Sequence, residues 1–158
     1  MDLRAALLRV DVIEAALLRS GELSPPLGPV GYVMAQEVAA CCLAVGTRTV
    51  VDAVNPTAEA RAGWRGIAAA AGTALYVFEV VLGDAVEHRR RVEQRQSDLP
   101  GLVVPTWQQV VERDYQPWDV ERDGGRVVVD GQDTRAALAV IYAGLASSVH
   151  RPRPMNDR

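Results

Sequence analysis

Two carboxylates and a run of arginines are the residues best equipped for chemistry in this sequence. Asp11 follows the short apolar run 6–10, and Asp52 interrupts the β-branched run Thr49-Val50-Val51-Asp52-Ala53-Val54. Arg89, Arg90, Arg91 and Arg95 share the charged segment 84–96. Carboxylates hold Mg²⁺ or accept a hydroxyl proton, and guanidinium forks bind phosphate oxygens, so the combination is a phosphate-handling set. Arg91 and Arg95, four apart and on one side of a helix, are the pair for phosphate, with Arg89 and Arg90 on a solvated face. Structural roles also fit the carboxylates. Asp11 with Glu14 three residues later has capping-box spacing, and an ionised Asp52 in an apolar strand is costly unless paired.

Composition narrows the chemistry further. The chain has 158 residues, 49% of them hydrophobic, enough for the core of one ordinary domain. All 17 basic residues are arginine, which removes Schiff-base chemistry and a phosphate-binding lysine. With a formal net charge of -3 and 5% aromatic residues, the chain lacks a bulk positive field and a base-stacking platform, so nucleic acid is not an expected partner. No apolar run reaches the roughly 18 residues of a membrane helix, and a cytoplasmic location without membrane association is expected. Cys41 and Cys42 are adjacent in an apolar helical pattern and are predicted to be small buried hydrophobes. His88 and His150 are isolated, and no metal site is predicted. Trp107 and Trp118 either line a pocket or cover the core.

The elements that must position these residues alternate. Strands are predicted at 6–10, 49–54, 74–82 and 126–130. Helices are predicted from Asp11 to near Gly21, from Val30 to Gly46, from Pro56 to Gly72, over 84–96, from Thr106 through Arg113, and along Leu138, Ile141, Tyr142 and Leu145. The near-continuous apolar run 74–82 predicts a central strand covered on both faces. Strands alternating with helices predict an α/β fold of three layers, a mostly parallel sheet with helices on both faces. Ligands bind such sheets beyond the strands' carboxyl ends, where Asp11, Asp52 and the segment after Leu82 fall. Residues 1–148 are assigned to the domain and 149–158 to a disordered tail.

Three blocks carry a resemblance. Leu8-Arg9-Val10-Asp11-Val12-Ile13-Glu14, then 49–54 continued by Asn55-Pro56, then Glu87-His88-Arg89-Arg90-Arg91-Val92-Glu93-Gln94-Arg95 look like successive blocks of the small P-loop kinases. These are AAA-family ATPases similar to zeta toxin, chloramphenicol phosphotransferase and polynucleotide kinase. The stretch from Asp98-Leu99-Pro100-Gly101 through Pro105-Thr106-Trp107 to Arg113-Asp114-Tyr115-Gln116-Pro117-Trp118 resembles a bacterial subgroup, and the blocks together span about residues 7 to 145.

The resemblance implies phosphotransfer from ATP, with Mg²⁺, to the hydroxyl of a small-molecule acceptor. Asp11 would be the base or orienting carboxylate, Asp52 the acidic residue near substrate or Mg²⁺, and Arg91 and Arg95 the lid arginines. Asn55, Trp107 and Tyr115 are the substrate-binding candidates. The family's first strand, G-x-x-x-x-G-K-[ST] loop and first helix have no counterpart before Asp11, and the chain resembles the family from within that helix onward. An internal start and a natural loss both fit. Without that loop the chain is expected to be inactive, and because the resemblance places the missing strand between the strand of Asp52 and the strand 74–82, it is expected to self-associate or to be marginally stable. The alternative is a non-catalytic module, dimeric through its exposed sheet, that binds a phosphorylated ligand.

Overall fold

A computed structural model describes residues 4–149. The order is β1 (Ala5–Arg9), α1 (Val10–Arg19), α2 (Val30–Ala44), β2 (Arg48–Asp52), α3 (Ala58–Ala70), β3 (Phe78–Val81), α4 (Ala85–Gln94), α5 (Trp107–Val111), α6 (Val120–Asp123), β4 (Val127–Asp130) and α7 (Thr134–Val149). The fold is mixed α/β, but the strands do not form the single sheet expected from their alternation. β1 pairs in parallel with β2, with Ala5 opposite Arg48 and Arg9 opposite Asp52. β3 pairs in parallel with β4, with Phe78 opposite Val127. These are two separate two-stranded sheets, and β2 is not bonded to β3.

The main core lies on one face of the first sheet. Val10, Ala35, Ala39 and Trp64 are buried there, ringed by Leu8, Ile13, Tyr32, Val51, Ala53 and Ile67. Ala35 and Ala39, one turn apart on α2, present small side chains, and α2 packs on both strands, on α1 and on α3. Strand alternation sends the next residues the other way. Leu7 and Val50 are register partners on the opposite face and are 63% and 43% exposed. In the second sheet Val129 is fully buried, and α7 packs on β4. Gly144 lets α7 lie close to β3 as well, because a Cβ there would stand 3.0 Å from the Phe78 ring.

Several elements differ from expectation for identifiable reasons. The third strand occupies only Phe78–Val81, and Val80 and Val81 are 61% and 40% exposed, so it is not a central strand covered on both faces. Its apolar run has a partner along one edge alone. Helix α3 begins at Ala58 under the Thr57 cap, with Pro56 before it, and α5 ends at Val111. Helix α6 follows Asp119, whose carboxylate accepts from the backbone of Glu121 and Arg122. Cys41 is exposed and Cys42 half-buried, because α2 turns its alanine stripe inward. Val149 still belongs to α7, and the rest of the expected tail lies outside the described residues.

Two-stranded sheets are marginal in water, and parallel sheets ordinarily bury both faces. The exposed Leu7–Val50 face and the single-partnered strands therefore lead to an expected result: the chain self-associates at micromolar concentration. Light scattering checks it. A monodisperse monomer melting at about 45–65 °C would show that these faces are tolerated in water.

Candidate functional site

A cleft of about 590 Å³ lies between the start of α1, the end of α4, the segment that follows α4, and α5. Asp11, Glu14, His88, Arg95, Asp98 and Arg113 bring charge or titratable groups to it, and Val54, Val92, Leu102 and Val110 are among its apolar lining. Its size suits a small molecule.

Asp11 does not cap its helix. The helix starts one residue earlier, at Val10, and the cap position is Arg9 with no side-chain cap hydrogen bond. The Asp11/Glu14 spacing thus yields no capping box. It sets both carboxylates on the cleft side of α1 instead. Burial pushes the half-buried Glu14 carboxyl above its usual range, with Asp11 adding to the shift and Arg113 opposing it.

The two arginines expected to act together are separated. Arg95 reaches toward Asp11, with 3.9 Å between guanidinium nitrogen and carboxylate oxygen. Arg91 donates to the Glu87 carboxylate at 2.7 Å and to the Gly131 and Gln132 carbonyls at 2.8 and 3.1 Å. The four-residue spacing implies one helical side only while the helix lasts. Arg95 is already past the end of α4, in extended backbone with ψ 128°. Glu87 is pulled down to about 2, first by the Arg90 hydrogen bond and then by that of Arg91. Arg89 and Arg90 make exposed pairs with Glu93 and Glu87.

Asp52 is the last residue of β2 and its side chain is 69% exposed, so it sits at the strand's end and not within apolar packing. Its partner is Arg9, whose Nε lies 3.5 Å away. The same guanidinium donates to both oxygens of Asp98 at 2.6 and 3.2 Å, and this bond holds the Asp98 carboxyl below its usual range. Arg19 donates to the Pro100 carbonyl at 3.1 Å. Arginines therefore tie the segment after α4 to β1 and α1.

Of the substrate-binding candidates, Trp107 stands edge-on to His88, with ring centroids 5.2 Å apart, beside the cleft. Asn55 and Tyr115 belong to another cluster. Asn55 has φ 53°, a left-handed conformation that asparagine tolerates. Its side-chain oxygen accepts from Trp64 Nε1 at 2.8 Å, its N–H donates to the Tyr32 hydroxyl, and its carbonyl accepts from Arg61. The Tyr115 hydroxyl donates to Glu79, and its ring lies under Arg61 at 5.1 Å.

That second cluster centres on a buried ion pair which sequence patterning did not single out. Arg61 donates to the Asp123 carboxylate at 2.8 Å and to the carbonyls of Asn55, Pro56, Gln116 and Pro117. Both side chains are almost fully buried. Arg122 first, and Arg61 after it, hold the Asp123 carboxyl below its usual range against the effect of burial. Trp118 lies under both Arg61 and Arg126, and Arg126 donates to Glu79 on β3. The cluster connects the end of β2, through 115–123, to β3. The signal in the sequence was Arg61 at helical spacing from the buried Trp64 and Ala68.

The residues present do not fit the phosphates of ATP. No lysine exists, and no glycine-rich G-x-x-x-x-G-K-[ST] loop occurs. Among the described residues, no group of three His, Cys, Asp or Glu side chains is placed to hold a metal ion. No helix among them is long and apolar enough to cross a membrane. Comparison with protein-family models, curated proteins and solved structures finds no match to this chain.

Proposed function

We propose that the chain is a P-loop kinase-like protein, related to enzymes that pass the ATP phosphoryl group to a hydroxyl acceptor, and inactive in the absence of a donor-phosphate loop. The observation that carries this reading is the presence of two parallel strand pairs, with Asp52 at the carboxyl end of β2 and Asp11 just past that of β1. The resemblance puts a further parallel strand between β2 and β3, and the loop after that strand would open at the carboxyl edge where Asp11 and Asp52 lie. Asp11, in the first turn of α1, accepts no hydrogen bond from that helix and can take the proton of an acceptor hydroxyl. Arg95 beside it offsets charge at that position.

Calorimetry with ATP and Mg²⁺ tests the reading, first on the chain alone and then on a fusion carrying a strand, a G-x-x-x-x-G-K-[ST] loop and a helix. The chain alone is expected to show no binding in the micromolar range, and the fusion to bind and to phosphorylate. Low-micromolar binding by the chain alone, or an inert fusion that folds, overturns it. The exposed Leu7–Val50 face favours a second reading, a self-associating module without catalysis. A folded oligomer that stays inert as the fusion would select that one.

A further inference from the structure

One cation of the cleft is not committed to a partner. Asp98 is taken by Arg9, and Asp11 has Arg95 beside it. Arg113 lines the same cleft yet makes no hydrogen bond or ion pair among the described residues. Glu14, half-buried on the same cleft, is an acidic group whose field it feels, at no hydrogen-bond or ion-pair distance. One guanidinium with its donors uncommitted remains in a cleft that His88 also lines. Glu14 stands one helical turn from Asp11 on α1, and Arg113 lines the same cleft as both. Val92, Leu102 and Val110 supply apolar lining.

From this lining we infer that the acceptor is a small hydroxy acid: its hydroxyl meets Asp11, its oxyanion meets Arg113, and an apolar body against Val92, Leu102 and Val110 joins them. The inference rests on the reading of the cleft as an acceptor site. A guanidinium fork takes a planar carboxylate or a phosphorus oxyanion with two parallel hydrogen bonds, so both oxyanions share the required chemistry. A neutral amide of the same shape leaves the guanidinium without its counter-charge and is bound more weakly.

The test uses three probes of one shape, 4-hydroxyphenylacetate, 4-hydroxybenzylphosphonate and the neutral 4-hydroxyphenylacetamide, in chemical-shift titrations of the full chain. Either acid is expected to bind about tenfold or more tighter than the amide, with shifts centred on His88 and the Arg95 backbone. The tighter of the two acids identifies the oxyanion. Arg113→Gln should reduce the acid preference to about one, Arg113→Lys should retain part of it, and Arg135→Gln on α7 should leave it unchanged. Equal binding of acid and amide, an acid preference that survives Arg113→Gln, shifts elsewhere on the chain, or no binding by any probe overturns the inference. The titration needs no donor nucleotide. An inert fusion with the acid preference intact would count against phosphotransfer alone, whereas a fusion active only on neutral acceptors would count against the hydroxy acid alone.

Discussion

Asp11→Asn, introduced into the ATP-competent fusion, is expected to lower kcat by about 10²-fold or more with little change in ATP affinity, because a positioned general base contributes on that scale. The amide keeps the size of the carboxylate and cannot take a proton. Arg95→Ala should also cost about 10²-fold in rate, since the guanidinium 3.9 Å from Asp11 is the cation nearest the reacting position. Arg89→Ala and Arg90→Ala, on the exposed face of α4, serve as controls and should be near neutral. Arg91→Ala separates two ideas. If Arg91 acts at the transferring group, turnover falls. If it only ties α4 to the Gly131 and Gln132 carbonyls, α4 loosens and turnover holds. Steady-state kinetics on purified variants decide between them, and full turnover by Asp11→Asn would remove Asp11 from the chemistry.

Arg61→Ala is expected to give the largest loss of stability of any single arginine substitution. Removing one member of a buried ion pair leaves the other without its compensation, a loss that typically runs to about 3–5 kcal/mol. The lower end is expected here, because Arg122 still reaches the same carboxylate. Arg61→Lys should recover little, since one ammonium cannot replace a fork that meets the carbonyls of Asn55, Pro56, Gln116 and Pro117. Replacing Arg61 and Asp123 together by Met and Leu should be far milder than Arg61→Ala alone. Urea midpoints measure all three. A loss below about 1 kcal/mol for Arg61→Ala would show that the pair does not secure the 115–123 segment.

The strand–helix alternation was legible because each short element carries local punctuation. Gly46 has φ 77° after α2, Asp84 caps α4, and Thr106 with Gln109 forms a capping box. Sheet membership was not legible, because a hydrophobic run such as 74–82 records what a strand would bury and not how many neighbours it finds. The proximity of Asp11 to Arg95 followed from strand-end geometry. The separation of Arg91 from Arg95 did not, since it depends on where α4 stops. Arg61 was hidden because a charge on an apolar stripe is uninterpretable until Asp123, 62 residues away, closes on it. Arg113 was hidden because helix α5 stops two residues before it, and only the folded chain turns it into the cleft.

The pairing of Ala5 with Arg48 and of Phe78 with Val127 also bears on the order in which the chain assembles. Each ladder closes a loop of more than forty residues, which costs about 3 kcal/mol of chain entropy before any strand hydrogen bond offsets it. Helices α2, α3 and α7 need only local contacts and can form in microseconds, whereas the two ladders must wait for long-range encounters. During that interval the four strands are open on both edges. Whichever chain segment first reaches them, from this molecule or from another, competes for the same hydrogen bonds, so assembly state is decided kinetically, while the protein folds.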